Sequence, residues 1–357
     1  MRLLSVTLDR NLLNPSSPVV GRQISYFHGW DVDLVVLAGG HARTVELAPG
    51  IRAYAVEGTR KARIFWNAFR LAARLARDHA VDLVTAQDIG WTGFLAWVVA
   101  CDTGARLVLQ DHSARFSRPT HFLARFLARR ADRVRTVSER GRKGLHAIGV
   151  AHDRIDVIPI ATDLSRFHDV LPADVNRHNV LCIARLEPEK GVDVLLRVWP
   201  AVFAQFVDAR LRIVGDGRER YRLELLARDL NLAEVVEFVG QHADVRPDLE
   251  WANVVVQPSR FEGWGLAIIE AAAAGRPVVM TAVGCAEEVI VDRESGRVVP
   301  TEDTIALGEA LTDILLHPGN AARYAAAARE RVSHLPSTQD TATKIRESMQ
   351  RALVRAR

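Results

Sequence analysis

The chain has 357 residues, and this length fits two domains better than one, while 48% hydrophobic and 25% charged residues are ordinary for a globular protein. It lacks the run of about 18 apolar residues that predicts a transmembrane helix, and its start, MRLLSVTLDRN, resembles a first core strand rather than a signal peptide. Three cysteines lie at Cys101, Cys182 and Cys285 without metal-binding spacing, so we expect no metal site, no disulfides and a cytoplasmic location.

Short apolar runs alternate with helical stretches along the whole chain. In the first half, strands are predicted over RLLSVTL, VDLVVLAG, RAYAV, DLVTAQ, RLVLQDH, RVRTVS and IDVIPIATD. In the second half, they are predicted over VLCIARL, LRIVGDG, VVEFVG, NVVVQPS, PVVMTAV and GRVVP. Most are nearly continuous apolar runs, which are typical of parallel strands covered on both faces. Repeated βα units predict doubly wound α/β sheets.

The strand pattern restarts near Val180, after the polar segment LPADVNRHN. We therefore expect one domain over residues 1–170 and a second over residues 171–336. The remaining residues, 337–357, predict one or two amphipathic helices.

The net charge of +4 is distributed unevenly. Residues 60–77 carry six basic side chains and no acidic one, and residues 113–146 carry ten basic and two acidic side chains. Basic amphipathic helices with aromatic residues suit an anionic membrane surface, although ordinary packing with a solvated arginine face explains the same pattern. Nucleic acid is not expected, because no nucleic-acid-binding motif accompanies the charge.

The second half places unusual residues at predicted strand ends, where ligands bind in open α/β sheets. Arg185 and Lys190 bracket a turn that opens a helix, an arrangement that suits a diphosphate but also fits two solvated cations. Gly215 and Gly217 end the next strand without the third glycine of a dinucleotide fingerprint, which disfavours a nicotinamide oxidoreductase.

The segment SRFEGWGLAIIEAAAAGRPVV is the strongest local signal. Gly263 and Gly265 allow backbone amides to approach a ligand, and the following helix is apolar all round, so we expect it to be buried. Glu270 lies in the middle of that helix and needs a partner. The partner is either an internal donor such as an arginine or the vicinal hydroxyls of a ribose, and Glu262 is placed to accept from sugar hydroxyls.

Taken in order, the motifs RLEPEKGVDVLL, LRIVGDGRERYRLE, VVEFVGQ, VVVQPSRFEGWGLAIIEAAAAGRPVV and VGCAEEVI resemble the donor domain of retaining glycosyltransferases of family 4 over residues 180–300. The resemblance implies a GT-B fold of two Rossmann-like domains facing a deep cleft, with an N-terminal acceptor domain, a C-terminal donor domain and a last helix that returns to the first domain. By the resemblance, the donor site comprises Arg185 and Lys190 for the diphosphate, Glu270 for the ribose, Glu262, Gly263, Trp264, Gly265 and Leu266 for the sugar, and Gly215, Gly217 and Gly240 in nucleotide-binding loops.

The first half is less specific. His112 follows a strand end, and the resemblance implies that it holds the donor sugar and orients the acceptor, so we name it with Glu262 as catalytic. Asp88, Asp111 and Gly21 are weaker acceptor-side candidates. The family often has a Gly-Gly loop after its first strand, whereas this chain has Gly21 alone in that region.

The resemblance implies sugar transfer from a UDP- or GDP-sugar to a glycan or lipid-linked acceptor, in the synthesis of cell-envelope polysaccharide or glycolipid at the inner face of the membrane. We expect no cofactor and no metal, because fixed cations can stabilise the charge that grows on a diphosphate. The DxD letters at Asp31 and Asp33 stand at a strand start, the wrong end for a site. A catalytically silent sugar-nucleotide-binding protein and a sugar-nucleotide epimerase remain the alternatives.

Overall fold

The computed structural model describes residues 1–112, 118–171 and 177–354. The chain divides into two compact units, one formed by Met1–Ala161 with Pro336–Arg357 and the other by Thr162–Leu335. Each unit is an α/β structure around its own sheet.

The described part of the first unit contains an eight-stranded sheet in the order β3-β4-β2-β1-β5-β6-β7-β8. Neighbouring strands are parallel except for the edge pair β3 and β4. The strands are β1 (Arg2–Thr7), β2 (Asp31–Val36), β3 (Arg43–Ala48), β4 (Ile51–Ala55), β5 (Leu83–Ala86), β6 (Arg106–Asp111), β7 (Arg133–Thr136) and β8 (Ile155–Val157).

Helices cover both faces of this sheet. The helices of the first unit are α1 (Pro18–Phe27), α2 (Lys61–Asp78), α3 (Trp91–Thr103), α4 (Arg118–Ala128), α5 (Glu139–Ala147) and α12 (Thr338–Val354). One core includes α2, α3 and α4 with residues such as Val84 and Leu109. The other core lies under α1 and α12 and includes Leu3, Leu83 and Val108. The alternation of residues along each strand divides them between the two cores.

The second unit has, within its described residues, a six-stranded parallel sheet in the order β11-β10-β9-β12-β13-β14. Its strands are β9 (Asn179–Ile183), β10 (Arg210–Val214), β11 (Val236–Gly240), β12 (Val254–Gln257), β13 (Val278–Thr281) and β14 (Arg297–Val299), and its helices are α6 (Val192–Gln205), α7 (Arg220–Asp229), α8 (Arg246–Trp251), α9 (Leu266–Ala273), α10 (Thr304–Leu316) and α11 (Pro318–Ser333). This is the strand order of a Rossmann dinucleotide-type sheet.

The boundary between the units lies before Thr162, earlier than the expected residue 171. The reason is a short 3-10 turn, Ser165–Phe167, which contacts α9 and buries Phe167 completely. Part of the expected linker, residues 172–176, lies outside the described residues.

The C-terminal segment forms one helix, α12, that belongs to the first unit. Its Arg346 donates to the carbonyl oxygens of Ser25 and Tyr26 on α1 at 3.3 Å. Ser348 Oγ donates to Asp156 at 2.6 Å, and Arg351 donates to the same carboxylate at 2.8 Å. The helix is therefore tied to the sheet by polar bonds as well as by its apolar face.

No helix among residues 1–112, 118–171 and 177–354 combines the length and apolar character that crossing a bilayer requires.

Candidate functional site

The sheet of the second unit reverses its strand order between β9 and β12. Ligands of open α/β sheets bind beyond the carboxyl ends of strands at such a reversal. The loops that follow these two strands carry Lys190 and Glu262. The topology therefore brings together two residues that are 72 positions apart in the sequence.

Lys190 and Glu262 form the centre of this site. Lys190 Nζ donates to Glu262 Oε1 at 2.7 Å, and the two side chains are only 14% and 8% exposed. The same oxygen also accepts from Ser259 Oγ at 2.8 Å and from Gln257 Nε2. No hydrogen bond among the described residues uses Glu262 Oε2. An ammonium group has three donors, so Lys190 can bind an anion while it keeps this contact.

Arg185 is placed differently from Lys190. Its side chain is 72% exposed, and it pairs with Glu189 across 3.6 Å on the same loop. A pair of this kind contributes little to stability. The guanidinium is therefore available to a ligand at the end of β9.

Glycines allow the loops at this edge to approach one another. A Cβ on Gly191 would lie 2.1 Å from the carbonyl oxygen of Pro258, and a Cβ on Gly215 would lie 1.9 Å from that of Ala184. A Cβ on Gly217 would lie 2.4 Å from the carbonyl oxygen of Leu186, and the carbonyl oxygen of Gly240 accepts from the Gly215 amide at 2.7 Å. The expected nucleotide-loop residues Gly215, Gly217 and Gly240 thus have a packing role that the structure shows directly.

Helix α9 begins at Gly265, which caps it with φ +93°, and it ends before Gly275, with φ +68°. The expectation that this helix is buried on every side is wrong. Leu266, Ala267 and Glu270 are partly exposed and share one face, because residues three and four positions apart are neighbours on a helix. An open stripe therefore runs from the amide groups of the first turn to the Glu270 carboxylate.

Glu270 has the partner that its burial requires, although the contact is loose. Its side chain is 18% exposed, and Arg166 Nη2 lies 3.9 Å from Oε1. Burial raises the pKa of Glu270, and the charge of Arg166 opposes the rise. At 3.9 Å, the arginine leaves the carboxylate able to accept hydrogen bonds from hydroxyl groups.

Trp264 and Gly263 lie between the two carboxylates in the sequence. Trp264 is buried, with 3% of its surface exposed, so its ring packs inside the second unit. Its carbonyl oxygen accepts from the Cys285 amide at 2.8 Å, which fixes the loop. Within the described residues, the buried atoms Trp264 Nε1 and Gln257 Oε1 have no hydrogen-bond partner.

In the first unit, Asp111 ends β6 and is buried, and His112 follows it. His112 lines a cavity of about 170 Å³ at the carboxyl ends of the strands. Burial lowers the pKa of His112 to about 3, and the charges of Arg135 and Arg22 act in the same direction. His112 is therefore neutral at physiological pH.

Of the acceptor-side candidates, Asp88 has a structural role and Gly21 lies in a helix. Asp88 holds the turn that leads into α3, because it accepts from the Gly90 amide at 2.6 Å and from the Thr92 hydroxyl. Gly21 was expected in a loop, but it lies in the first turn of α1. Nothing lies within 4 Å of the position that its Cβ would occupy, so no close approach requires a glycine there.

The DxD letters have a structural explanation. Asp33 lies near the start of β2, accepts from the Tyr54 hydroxyl at 3.0 Å and contacts the ring of His79. Among residues 1–112, 118–171 and 177–354, no group of three or more His, Cys, Asp or Glu side chains is arranged to hold a metal ion.

Sequence reasoning missed Arg166 and Arg135. Arg166 lies before the expected domain boundary, and only the fold brings it to α9. Arg135 is the third residue of β7 and is 6% exposed. An arginine at an inward position of a buried strand is unusual. The segment RVRTVS contains this arginine, so the sequence alone could have identified Arg135 as a candidate.

Comparison with known proteins assigns the family. The profile described as Glycosyltransferase Family 4 matches residues 25–166, and the profile described as Glycosyl transferases group 1 matches residues 165–331. The chain belongs to the family 4 glycosyltransferases, which confirms the resemblance seen in its motifs.

Solved structures show the same fold. HepE of Anabaena, in complex with UDP-glucose, matches with a TM-score of 0.80 and 20% identity over 98% of this chain and 99% of that one. The sucrose-phosphate synthase of Thermosynechococcus elongatus matches with a TM-score of 0.80 and 23% identity over 97% and 98%. The predicted GT-B fold is confirmed.

Curated relatives are similar over part of their length. A GDP-mannose-dependent alpha-(1-6)-phosphatidylinositol monomannoside mannosyltransferase of Mycolicibacterium smegmatis is 37% identical over 163 residues, which are 43% of each chain. A glycogen synthase of Mycobacterium tuberculosis is 30% identical over 243 residues, which are 65% of this chain and 57% of the synthase. The matched segments thus span about half the length of these relatives.

Proposed function

We propose that this chain is a retaining, metal-independent glycosyltransferase that moves a sugar from a UDP- or GDP-sugar to a lipid-linked or glycan acceptor. The observation that carries the proposal is the buried Lys190–Glu262 pair at the strand-order reversal, beside the exposed Arg185 and the open stripe of α9. Cations, free amides and two carboxylates are the groups that a nucleotide-sugar requires.

Each group has a chemical task in this proposal. Arg185 and Lys190 neutralise the negative charge that grows on the diphosphate as the sugar leaves, which lowers the barrier most when the cations are already in place. Glu270 accepts hydrogen bonds from the ribose hydroxyls. Glu262 Oε2 and the amides before α9 hold the sugar, while Oε1 remains bound to Lys190.

The proposed retaining chemistry places the leaving group and the incoming acceptor on one face of the sugar, so it needs no carboxylate nucleophile. His112 is neutral, because burial lowers its pKa to about 3. A neutral imidazole both donates and accepts one hydrogen bond, which suits positioning of hydroxyl groups.

The relatives support the choice of donor and acceptor class. Two of them are GDP-mannose-dependent enzymes that act on phosphatidylinositol monomannosides, one of them on a monoacylated form. A matching structure contains UDP-glucose. We therefore propose a UDP- or GDP-hexose donor and a glycolipid acceptor at the inner face of a membrane.

The first unit offers a surface for that membrane. Trp66 on α2, Trp91 on α3 and Phe122 on α4 are 58%, 65% and 79% exposed. The rings of Phe65 and Trp91 touch edge to face between α2 and α3, with centroids 6.1 Å apart. Helix α2 adds exposed basic side chains, namely Lys61, Arg63, Arg70 and Arg74. Exposed aromatic rings beside basic groups bind anionic lipid surfaces.

Flotation with phosphatidylglycerol vesicles and with neutral vesicles, at low and high salt, tests this surface. We expect salt-sensitive binding to the anionic vesicles that Trp66→Ala weakens. Tyr221→Ala is the matched control, because Tyr221 is a 74% exposed aromatic residue of the second unit. Equal binding of the two variants would exclude this surface.

The transfer itself is tested with a panel of UDP- and GDP-sugars and a phosphatidylinositol acceptor, with NMR assignment of the product anomer. We expect one donor to be used, the anomeric configuration to be kept and EDTA to leave the rate unchanged. An inverted product or complete loss of activity in EDTA would contradict the proposed mechanism. Nucleotide binding without transfer or hydrolysis would favour the silent binding protein.

A further inference from the structure

One face of the first sheet changes character along its strands. Leu3, Leu83 and Val108 form the apolar part of this face beneath α1 and α12. Two residues further along the strands, at the next positions on the same face, are Ser5, Thr85 and Gln110. All three are buried. The face therefore becomes polar toward the carboxyl ends, where α/β sheets bind ligands.

Arg135 completes this polar row. It pairs with Gln110 across β7 and β6, and its Nη1 donates to Gln110 Oε1 at 3.3 Å. Its Nη2 donates to the carbonyl oxygen of Ile158 at 3.2 Å, and its buried Nε has no partner among the described residues. Gln110 in turn donates to Thr85 at 3.3 Å. The guanidinium is thus held in place by neutral groups.

A buried cation without a carboxylate partner is costly. No salt bridge to Arg135 is found in the parts of the chain that the structure describes, and the side chain is 6% exposed. Burial lowers the pKa of Arg135 to about 10, so the group remains charged at physiological pH. Arginines of the same unit such as Arg133 pair with an acid, Asp156, at 2.7 Å, whereas Arg135 pairs with none among the described residues.

The same cavity of about 170 Å³ brings a second cation toward Arg135. Arg22 lines it from α1, and His112, Gln87 and Gln110 line it from strand ends. The cavity is much larger than the roughly 10–15 Å³ that one water needs.

The charge of the cavity is positive overall. Asp9 is the acidic residue among the described residues of its lining, and its Oδ1 already accepts from the Asn11 amide at 3.0 Å as a cap. Two guanidinium groups therefore face one engaged carboxylate and a neutral imidazole. Arginine binds phosphate and carboxylate through its planar donors, and amide and hydroxyl side chains extend such a site.

We propose that this cavity binds a phosphate ester carried by the acceptor, so that the substrate is an anionic, phosphorylated molecule. That the bound molecule is an acceptor rests on the proposed transfer function. The anion site itself is inferred from Arg135, Arg22 and the polar row alone. A phosphodiester with a single negative charge matches the excess of one positive charge among the described residues of the lining.

Binding of glycerol 3-phosphate, with glycerol as the uncharged control, tests the site by calorimetry at constant ionic strength. We expect saturable binding of the ester alone. Arg135→Met should weaken it at least tenfold, and Arg22→Gln should weaken it also. Arg70→Gln is the matched control, because Arg70 is an exposed arginine of the same unit on α2. Circular dichroism checks that each variant folds. If Arg135→Met does not fold, ester binding by Arg22→Gln tests the inference instead.

Titration of UDP and GDP in parallel separates this inference from the proposed function. We expect Arg135→Met to retain nucleotide binding and Arg185→Met to retain glycerol 3-phosphate binding. Unchanged ester binding in both first-unit variants, with nucleotide binding intact, would overturn the inference. If the wild-type chain bound neither UDP nor GDP, the proposed function would be overturned, while binding of the ester would still support the anion site.

A second comparison identifies the source of the phosphate. Glycerophosphoinositol presents the phosphodiester of a lipid headgroup, whereas glycerol 3-phosphate presents a monoester. Tighter binding of the diester supports a lipid acceptor, and tighter binding of the monoester supports a soluble phosphorylated one. In a transfer assay, Arg135→Met should raise the acceptor KM and leave the donor KM unchanged. An unchanged acceptor KM would contradict the inference.

Discussion

Replacement of Lys190 and of Arg185 by methionine separates stability from ligand binding at the donor site. Lys190 is 14% exposed and bonded to a carboxylate that is 8% exposed. Removal of one partner of a buried pair costs about 3–5 kcal/mol. Gln257 and Ser259 continue to donate to Glu262. We therefore expect Lys190→Met to lower the free energy of unfolding by about 3 kcal/mol, near the lower end of that range.

Arg185→Met is the matched variant, because the Arg185 side chain is 72% exposed and its pair with Glu189 spans 3.6 Å. We expect it to change the free energy of unfolding by less than about 0.5 kcal/mol. A hydrogen bond to a charged group is worth about 1.5–3 kcal/mol, so the loss of a diphosphate contact should reduce kcat/KM by about 10- to 150-fold.

Urea unfolding and donor-dependent turnover measure the two effects. The double variant Lys190→Met with Glu262→Gln replaces both charges, and we expect it to recover at least about 1 kcal/mol of the stability lost by Lys190→Met alone. Unchanged turnover in Arg185→Met would contradict its role in diphosphate binding, and a Lys190→Met variant as stable as the wild type would contradict the stabilising role of the Lys190–Glu262 pair.

Four further predictions concern the fold. Gly191→Ala should destabilise the second unit by more than about 1 kcal/mol, because φ is +65° and a Cβ would lie 2.1 Å from a backbone carbonyl oxygen. Gly21→Ala should stabilise the first unit by about 0.4–1 kcal/mol, because its helical position has nothing within 4 Å, and urea unfolding measures both variants. The pKa of His112 falls to about 3 in the folded protein. The stabilising effect of neutral His112 is therefore full above about pH 6.5, and below that pH the free energy of unfolding decreases by up to about 1.4 kcal/mol per pH unit. His112→Gln should flatten this pH dependence in urea unfolding between about pH 7.5 and 5. An identical pH dependence in the variant would exclude the effect. Ile345→Ala on α12 should cost about 2–5 kcal/mol, because Ile345 is 1% exposed, and a loss below about 1 kcal/mol would show that α12 does not form part of the core.

The parallel strands were predictable because buried apolar runs alternate with helical periodicity. β3 was not, since none of its residues is buried and they lack such a run. The turn at Pro49 and Gly50, where Gly50 has φ +81°, was the available signal for its antiparallel pairing with β4.

The donor residues were expected from their positions after strands, but their environments differ in ways that only packing shows. Lys190 is buried in an ion pair, whereas Arg185 is exposed. The exposed face of α9 depends on which elements pack against each side of the helix. The composition of the helix alone does not predict which side stays exposed. Arg166 reaches Glu270 from more than 100 residues away in the sequence, a contact that no local pattern encodes.

Part of the basic composition of the first half is used inside the fold. Arg133 donates to Asp156 at 2.7 Å, and burial encloses Arg135. Hydrogen bonds from Arg133 and Ser348 hold the pKa of Asp156 below its usual value against the opposing effect of burial. The charge count of residues 113–146 therefore overstates the basic surface, while α2 keeps its exposed basic residues.

Nucleotide binding tests the donor site proposed at the carboxyl ends of β9 and β12. UDP and GDP are titrated against the wild-type chain, Arg185→Met and Glu270→Gln, with thermal unfolding as the measurement. We predict that one of the two nucleotides stabilises the wild type by about 2.7 kcal/mol at 100 times its Kd, and that both variants bind it less tightly. Binding of neither nucleotide, or equal binding by all three proteins, would contradict a donor site at the carboxyl ends of β9 and β12.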